Sequence, residues 1–305
     1  MTDAVTICED VTRDGFQSAS RIICVEDKLT ILEMLADAGV KQIEVGAFSR
    51  FESMKKMRNT GEVFRRLKKR PGVTYRALVF EPEGAREAAE CGCGKIKINI
   101  SASNQHHKSG TGLDIKGAMK GFAEIARIAE KAGMSMAGSI SLPFRSPFPG
   151  EGIIDMGTLK EIIQSFCDIG IREISLSDAA GLGDPNLIYE RIITLGSQFP
   201  DVSWMLHMHN TYGMGLAGVE AAYRAGVRKF DSSLAGLGGC PYIKGATGNV
   251  ATEDLLFMFH SMGIETGINL EQMIEAGQFV SSLVDGEGTD SYIQRIESFK
   301  NENGK

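Results

Sequence analysis

No C-x-x-C pair occurs among the six cysteines, at positions 8, 24, 91, 93, 167 and 240. A disulfide scaffold is excluded, and reduced thiols in a cytoplasmic protein are expected. No apolar stretch approaches the roughly 20 residues that cross a bilayer, so no membrane partner is expected. The opening Met1-Thr2-Asp3-Ala4 is too polar for a signal peptide. Charge of one sign is also scarce: 33 basic against 39 acidic residues give a net charge of −6. The one like-charged cluster, Arg65 to Arg70, falls at the end of a predicted helix, where cations suit the dipole. No nucleic-acid partner is expected from such a balance. Aromatics are few, at 7%, yet 43% of the residues are hydrophobic, enough to bury a sizeable core.

Glycine is in surplus, with 36 in 305 residues against about 7% in ordinary proteins. Part of the surplus follows a pattern. Short β-branched runs alternate with segments of helical period from Val5 to Met262, and no break in composition reads as a linker. The strands are predicted near Val5 to Cys8, Lys41 to Val45, Thr74 to Phe80, Lys95 to Ile100, Met134 to Ser141, Arg172 to Leu176, Val202 to His207 and Lys229 to Asp231. Gly39, Gly133, Gly170 and Gly226 stand where a helix stops and a strand soon begins. Eight such units predict an α/β fold, a (β/α)8 TIM barrel over residues 1–285. A doubly wound open sheet is the runner-up. Leu270 to Ala276 and Phe279 to Leu283 read as extra C-terminal helices, and 286–305 as a polar tail that frays.

Barrel active sites form at the carboxyl ends of the strands, so chemistry is expected at those positions. Thr12-Arg13-Asp14-Gly15-Phe16-Gln17 follows the first strand, and Glu44 places a carboxylate inside the apolar second. An unpaired buried carboxylate is costly, which makes Arg13 the expected partner of Glu44. Near the end of the seventh strand, His207 and His209 are two residues apart and can face the same mouth. Two imidazoles need an anionic ligand, and Asp14 is near enough in a closed barrel; the set admits zinc, manganese, iron or magnesium. Gly236, Gly238, Gly239, Gly245 and Gly248 surround Cys240 after the eighth strand, a composition suited to a lid carrying a reactive group.

The stretch Thr12 to Gln17, the run His207-x-His209-Asn210-Thr211-Tyr212-Gly213 and the loop Gly239-Cys240-Pro241-Tyr242 leading to Asn249 and Glu253 together resemble the 3-hydroxy-3-methylglutaryl-CoA lyase family. The resemblance covers about residues 5 to 285. It implies a homodimer that cleaves an acyl-CoA by retro-Claisen chemistry and a divalent cation, Mg2+ or Mn2+, on Asp14, His207, His209 and Asn249. It further implies that Arg13 stabilises an enolate oxygen, that Glu44 holds Arg13, and that Cys240 moves a proton at the enolate carbon. His207 or Asp178 is the base for the substrate hydroxyl. Gln17, Ser175 and Ser177 are expected to touch substrate, and Arg50, Lys55, Lys56 and Lys108 are candidates for the CoA phosphates. Ser177-Asp178-Ala179 replaces the family's glycine-aspartate-threonine, and Arg145 is added after the fifth strand. These departures bear on which acyl group is taken; the alternative is a related lyase or Claisen-type synthase acting on another acyl-CoA or 2-hydroxy/2-oxo acid, such as a citramalyl-type thioester. An amidohydrolase is the rival class, but its H-x-H follows the first strand.

Overall fold

Each predicted strand pairs in parallel with its neighbours in sequence. The structure, a computed structural model, describes residues 4–240, 242–284 and 290–302. Strands β1 (Thr6–Glu9), β2 (Gln42–Phe48), β3 (Thr74–Val79), β4 (Lys95–Ser101), β5 (Ser135–Ser141), β6 (Glu173–Asp178), β7 (Ser203–Met208) and β8 (Lys229–Ser232) close into a barrel through the β1–β8 pairing. Outside it lie α1 (Val25–Asp37), α2 (Thr60–Arg66), α3 (Pro82–Glu90), α4 (Asn104–Thr111), α5 (Ile115–Met119) and α6 (Phe122–Ala132). They are followed by α7 (Met156–Asp168), α8 (Pro185–Gln198), α9 (Gly215–Arg224), α10 (Thr252–Ser261), α11 (Leu270–Leu283) and α12 (Tyr292–Glu302). None of the described helices is long and apolar enough to cross a membrane.

Local chemistry explains the punctuation. Gly39, Gly133, Gly170 and Gly226 all take positive φ, as a helix-to-strand turn favours. Asp155 and Asp184 cap α7 and α8 by accepting from Thr158 N and Leu187 N, and Pro185 opens α8 where its missing N–H costs nothing. Between strands and helices the core is aliphatic, with Ile31, Leu35, Ile98, Ile125, Ile163 and Leu195 fully buried.

Two expectations are corrected. Ahead of the helix predicted near Lys116 to Lys131, α4 forms from Asn-Gln-His-His-Lys-Ser-Gly-Thr, where only His107 is buried. Its polar composition hides the period; Ser103 starts it by accepting from His106 N at 3.0 Å. The predicted fraying tail is, over its described part, the helix α12. Asp254 accepts from Tyr292 N and Ile293 N at 3.0 and 2.9 Å, capping that helix, and Gln294 Nε2 donates to Glu253 Oε1 at 2.9 Å. Residues 286–289 and 303–305 of that tail, and Pro241 of the lyase-like motif, lie outside the described residues.

The two helices predicted around residue 277 are one, α11, and Gly277 lies within it because Glu253 and Gln294 press against that turn. A Cβ at this position would lie 2.1 Å from Glu253 Oε1 and 2.3 Å from Gln294 Nε2. Glycine-to-alanine in a helix interior ordinarily adds about 1 kcal/mol of stability. Gly277→Ala should instead destabilise the protein in urea denaturation; a gain would show that the junction yields easily.

Candidate active site

The floor of the barrel mouth is a buried charge cluster set by strand register. Glu44 on β2 stands opposite Arg76 on β3, and His207 on β7 opposite Asp231 on β8. Arg76 donates from Nε to Glu44 at 2.7 Å and from its terminal nitrogen to Asp231 at 2.6 Å; Lys97 Nζ reaches Glu44 at 2.5 Å. All four side chains are at most 2% exposed. Burial alone would raise the Glu44 carboxyl, but Lys97, Arg13 and Arg76 bring it down to about 2. Removing one member of such a buried set leaves the others uncompensated, a loss of about 3–5 kcal/mol.

Above the cluster, a single π-helical turn, Val11–Gly15, presents adjacent Arg13 and Asp14. Such turns recur at functional sites. Thr12 Oγ1 donates to Glu44 O at 3.0 Å, fixing the turn to β2, and Arg13 Nε donates to Glu44 Oε1 at 2.6 Å, the expected partnership. Arg13 also pairs with Asp14, and with Asp10 at 3.3 Å.

Asp14 Oδ2 lies 3.6 Å from His209 Nε2 and 4.0 Å from His207 Nε2. Burial opposes its charge, but Arg13 and the two imidazoles hold it well below the usual carboxylate range. Thr247 O lies 3.1 Å from His209 Nδ1, while Asp10 and Asp231 face His207 Nδ1 at 3.5 and 3.6 Å. These acceptors favour a proton on each Nδ1 and leave each Nε2 lone pair toward Asp14. Asn249 pairs with His209 in an antiparallel bridge. Its Nδ2 donates to Asp14 Oδ2 at 2.7 Å and to Leu237 O at 2.9 Å, while its buried Oδ1 has no partner. An orphaned buried acceptor, two imidazole nitrogens and a carboxylate form a mixed nitrogen–oxygen donor set that fits a divalent cation.

Charge balance points the same way. Asp10, Asp14, Glu44 and Asp231 face only three permanent cations, Arg13, Arg76 and Lys97. Burial disfavours a proton on His207, yet Asp10, Asp231 and Asp14 raise it to about 9; His209, where burial prevails, is lowered to about 4. A protonated His207 thus balances the fourth carboxylate, and a cation held at its Nε2 would supply that charge in the proton's place.

Across the mouth, Cys240 lies in a cavity shared with Arg13, Asp14, His207 and His209. Its loop is tied at both ends. Ala235 N donates to both Glu253 oxygens at 3.0 Å, and Leu234 N donates to Glu9 Oε1 at 2.9 Å. At the far end, Asn210 N donates to Gly248 O and Val250 N to Met208 O, both at 2.9 Å.

The structure also places the other expected residues. Gln17 and Ser177 line the cavity. Ser175 lies deeper, 1% exposed, and donates to Asp231 Oδ2 at 3.3 Å. Asp178, the last residue of β6, is fully buried; it accepts from Gly183 N at 2.6 Å through one oxygen, and its other oxygen has no partner. Arg145 faces Asp184 at 3.9 Å. Arg50, Lys55 and Lys108 are exposed. Sequence reasoning missed Asp10, Arg76, Lys97, Asp231 and His106. The signal that picked out Glu44, a charge inside a strand, was equally present at Arg76 and Lys97.

Donors gathered at the carboxyl ends of a closed (β/α)8 barrel are the arrangement of an enzyme, here one of the carbon–carbon lyase class. The chain belongs to the HMGL-like family, whose model matches residues 4–280. It is similar to the hydroxymethylglutaryl-CoA lyase of Pseudomonas mevalonii, 35% identical over 92% of this chain and 92% of that protein. It is also similar to the mitochondrial hydroxymethylglutaryl-CoA lyase of Macaca fascicularis, 34% identical over 95% of this chain and 89% of that one. The crystal structure of hydroxymethylglutaryl-CoA lyase from Pseudomonas aeruginosa superposes with a TM-score of 0.92 at 32% identity, covering 98% and 99% of the two chains. An HMG-CoA lyase from Acinetobacter baumannii, in complex with coenzyme A and 3-methylmalate, gives 0.91 at 30% identity, covering 96% and 95%. The chain is thus an enzyme of the hydroxymethylglutaryl-CoA lyase type, and its family implies divalent-metal dependence.

Two measurements check this site. Glu44→Ala should lower stability by about 3–5 kcal/mol in urea denaturation; a loss under about 1 kcal/mol would mean that its three cations find other partners. Losing even an outer-shell partner typically costs 10–100-fold in metal affinity. His209→Ala and Asn249→Ala should therefore each weaken Mn2+ binding at least about tenfold in an electron-paramagnetic-resonance titration, and unchanged affinity would remove them from the donor set.

Proposed function

We propose that this chain is a divalent-cation-dependent lyase that cleaves 3-hydroxy-3-methylglutaryl-CoA, or a close 3-hydroxy-3-methylacyl-CoA, to acetyl-CoA and acetoacetate. The observation that carries the reading is the convergence of Asp14, His207, His209 and the unpaired Asn249 Oδ1 beside Arg13, with Cys240 in the same cavity. The family resemblance implies Mg2+ or Mn2+ on these donors, and the cation when bound would supply Lewis acidity to the substrate hydroxyl and thioester carbonyl.

The side chains divide the remaining work. The hydroxyl proton goes to His207 or Asp178: Asp10 and Asp231 beside His207 Nδ1 stabilise an imidazolium there, and burial pushes the Asp178 carboxyl up from its ordinary value. As the bond between C2 and C3 breaks, electrons move into the thioester enolate, whose oxygen Arg13 stabilises from its place beside Glu44. Cys240 protonates the enolate carbon; burial pushes its thiol up to about 11, so it holds a proton at neutral pH. Gln17 and Ser177 line the cavity as candidate substrate contacts, and we propose a supporting rather than contacting role for Ser175.

A second substrate reading rests on the apolar wall of Phe51, Met54, Leu78 and Phe80, which suits a longer 3-alkyl group. A similar protein of Pseudomonas aeruginosa, 34% identical over 92% of this chain and 93% of its own, is named a 3-hydroxy-3-isohexenylglutaryl-CoA/hydroxymethylglutaryl-CoA lyase. We further place the chain in the cytoplasm, consistent with its six free cysteines, and retain the homodimer that the family resemblance implies.

Acetyl-CoA release from 3-hydroxy-3-methylglutaryl-CoA with Mg2+ or Mn2+ is the direct test. Activity should disappear with a chelator and return with the cation. Cys240→Ala should lower turnover by about 10²-fold or more while Mn2+ still binds. A wild-type protein that cleaves neither this thioester nor its 3-alkyl or citramalyl analogues would falsify the lyase reading.

A further inference from the structure

Helix α4 brings a histidine to Cys240. His106 Nε2 lies 3.3 Å from Cys240 Sγ, and its Nδ1 lies 3.0 Å from Ser101 Oγ. Both residues line the cavity that holds Asp14, His207 and His209. Tyr242, two residues after Cys240, meets the same imidazole edge-on at 6.1 Å, so the loop rests on α4 at two points.

The hydrogen count at Ser101 decides which atom carries the proton. Its hydroxyl donates to Ser141 O at 3.3 Å and accepts from Ser103 N at 3.1 Å. A hydroxyl has one proton, so the third contact is filled by His106 Nδ1–H donating to Ser101 Oγ. The proton on Nδ1 leaves a lone pair on Nε2, and Cys240 S–H is the donor across the 3.3 Å contact. Burial supports the same assignment, lowering His106 to about 4 and raising Cys240 to about 11, so that both are neutral around pH 7.

We propose that His106 is the positioning residue of Cys240: Nε2 accepts a hydrogen bond from the resting thiol, which turns to the enolate carbon when it gives up its proton, and so holds Sγ over the cavity and seats the glycine loop on α4. The proposal rests on the proton-transfer role given to Cys240 above. In that step the S–H bond breaks, a C–H bond forms at the enolate carbon, and sulfur keeps the electron pair as thiolate. A solvent proton taken up at Nε2 and passed to sulfur restores the thiol and leaves the imidazole neutral. It replaces the proton released by the substrate hydroxyl.

The test compares wild type, His106→Phe, His106→Gln, Cys240→Ala and the His106→Phe/Cys240→Ala double variant. His106→Phe should lower kcat by about 10²-fold, at the lower end of the general acid–base range, with KM and Mn2+ affinity within about twofold of wild type. His106→Gln, whose Oε1 can accept near the position of Nε2, should recover about tenfold of that loss. Residues acting as a unit are non-additive, so the double variant should be no slower than Cys240→Ala. Multiplied losses in the double variant would overturn the proposal. Nitrogen-15 NMR of the histidines reads the pairing without any substrate. The expected signature is an Nδ1-protonated His106 whose Nε2 resonance moves in Cys240→Ala, and an Nε2-protonated ring would overturn the inference. A protein that shows this signature but cleaves none of the thioesters would sink the lyase reading alone and leave the pairing supported.

Discussion

The arrangement of the mouth depends on neutralising charge in a place water barely reaches. Glu44 is the centre of that constraint, because Arg13, Arg76 and Lys97 all direct a nitrogen at its two oxygens. In a medium of low polarity, such a carboxylate persists only while its cations stay close. Their positions on separate strands then become a requirement on the barrel itself: β2, β3, β4 and the turn after β1 must hold register for the charges to meet. The same constraint fixes Arg13 beside Asp14. Positive charge is held at the mouth without a long, flexible side chain searching for it, which is the preorganisation that electrostatic catalysis requires.

A second set of buried carboxylates ties the loop to the frame. Burial pushes Glu9 up to about 8 and Glu253 to about 7, despite the hydrogen bonds they accept from Leu234 N and Ala235 N. Glu253 also receives Gln294 of α12, so the C-terminal helix braces the base of the loop from behind. Ala235 takes a positive φ of 58° between these anchors. A non-glycine residue persists in that region only where its surroundings over-determine it. The helices that follow the barrel in sequence thus contribute to the geometry of its mouth.

Much of this was legible in the chain. Alternating periods and recurrent helix-ending glycines were sufficient for eight βα units, because these signals are local. The H-x-H pair was legible for the same reason: two residues on one strand must share a face. The charge cluster was only partly visible. Glu44 stood out in its apolar strand, but pairing it with Arg76 and Lys97 required the strand register, a long-range property. Asp178 is harder to read from sequence, because an aspartate at the end of a strand can face the mouth or cap the following turn; here one oxygen accepts from Gly183 N and the other is buried without a partner. His106 was hidden by the polar sequence of α4, which lacks an apolar stripe. Gly277 resembled a break between helices until the two side chains crowding it were seen.

The way the loop is fastened separates the proposed catalytic groups in time. Asn249 lies within the second anchor, bridged to His209 on the frame, whereas Cys240 lies between the anchors among Gly238, Gly239 and Gly245. If the span between them swings, the cation donors stay assembled while the acid comes and goes. Substrate could then enter an open but already electrophilic mouth, with the proton source arriving as the mouth closes. A carbanion-like species formed before closure would meet water, and one formed after closure would meet a thiol.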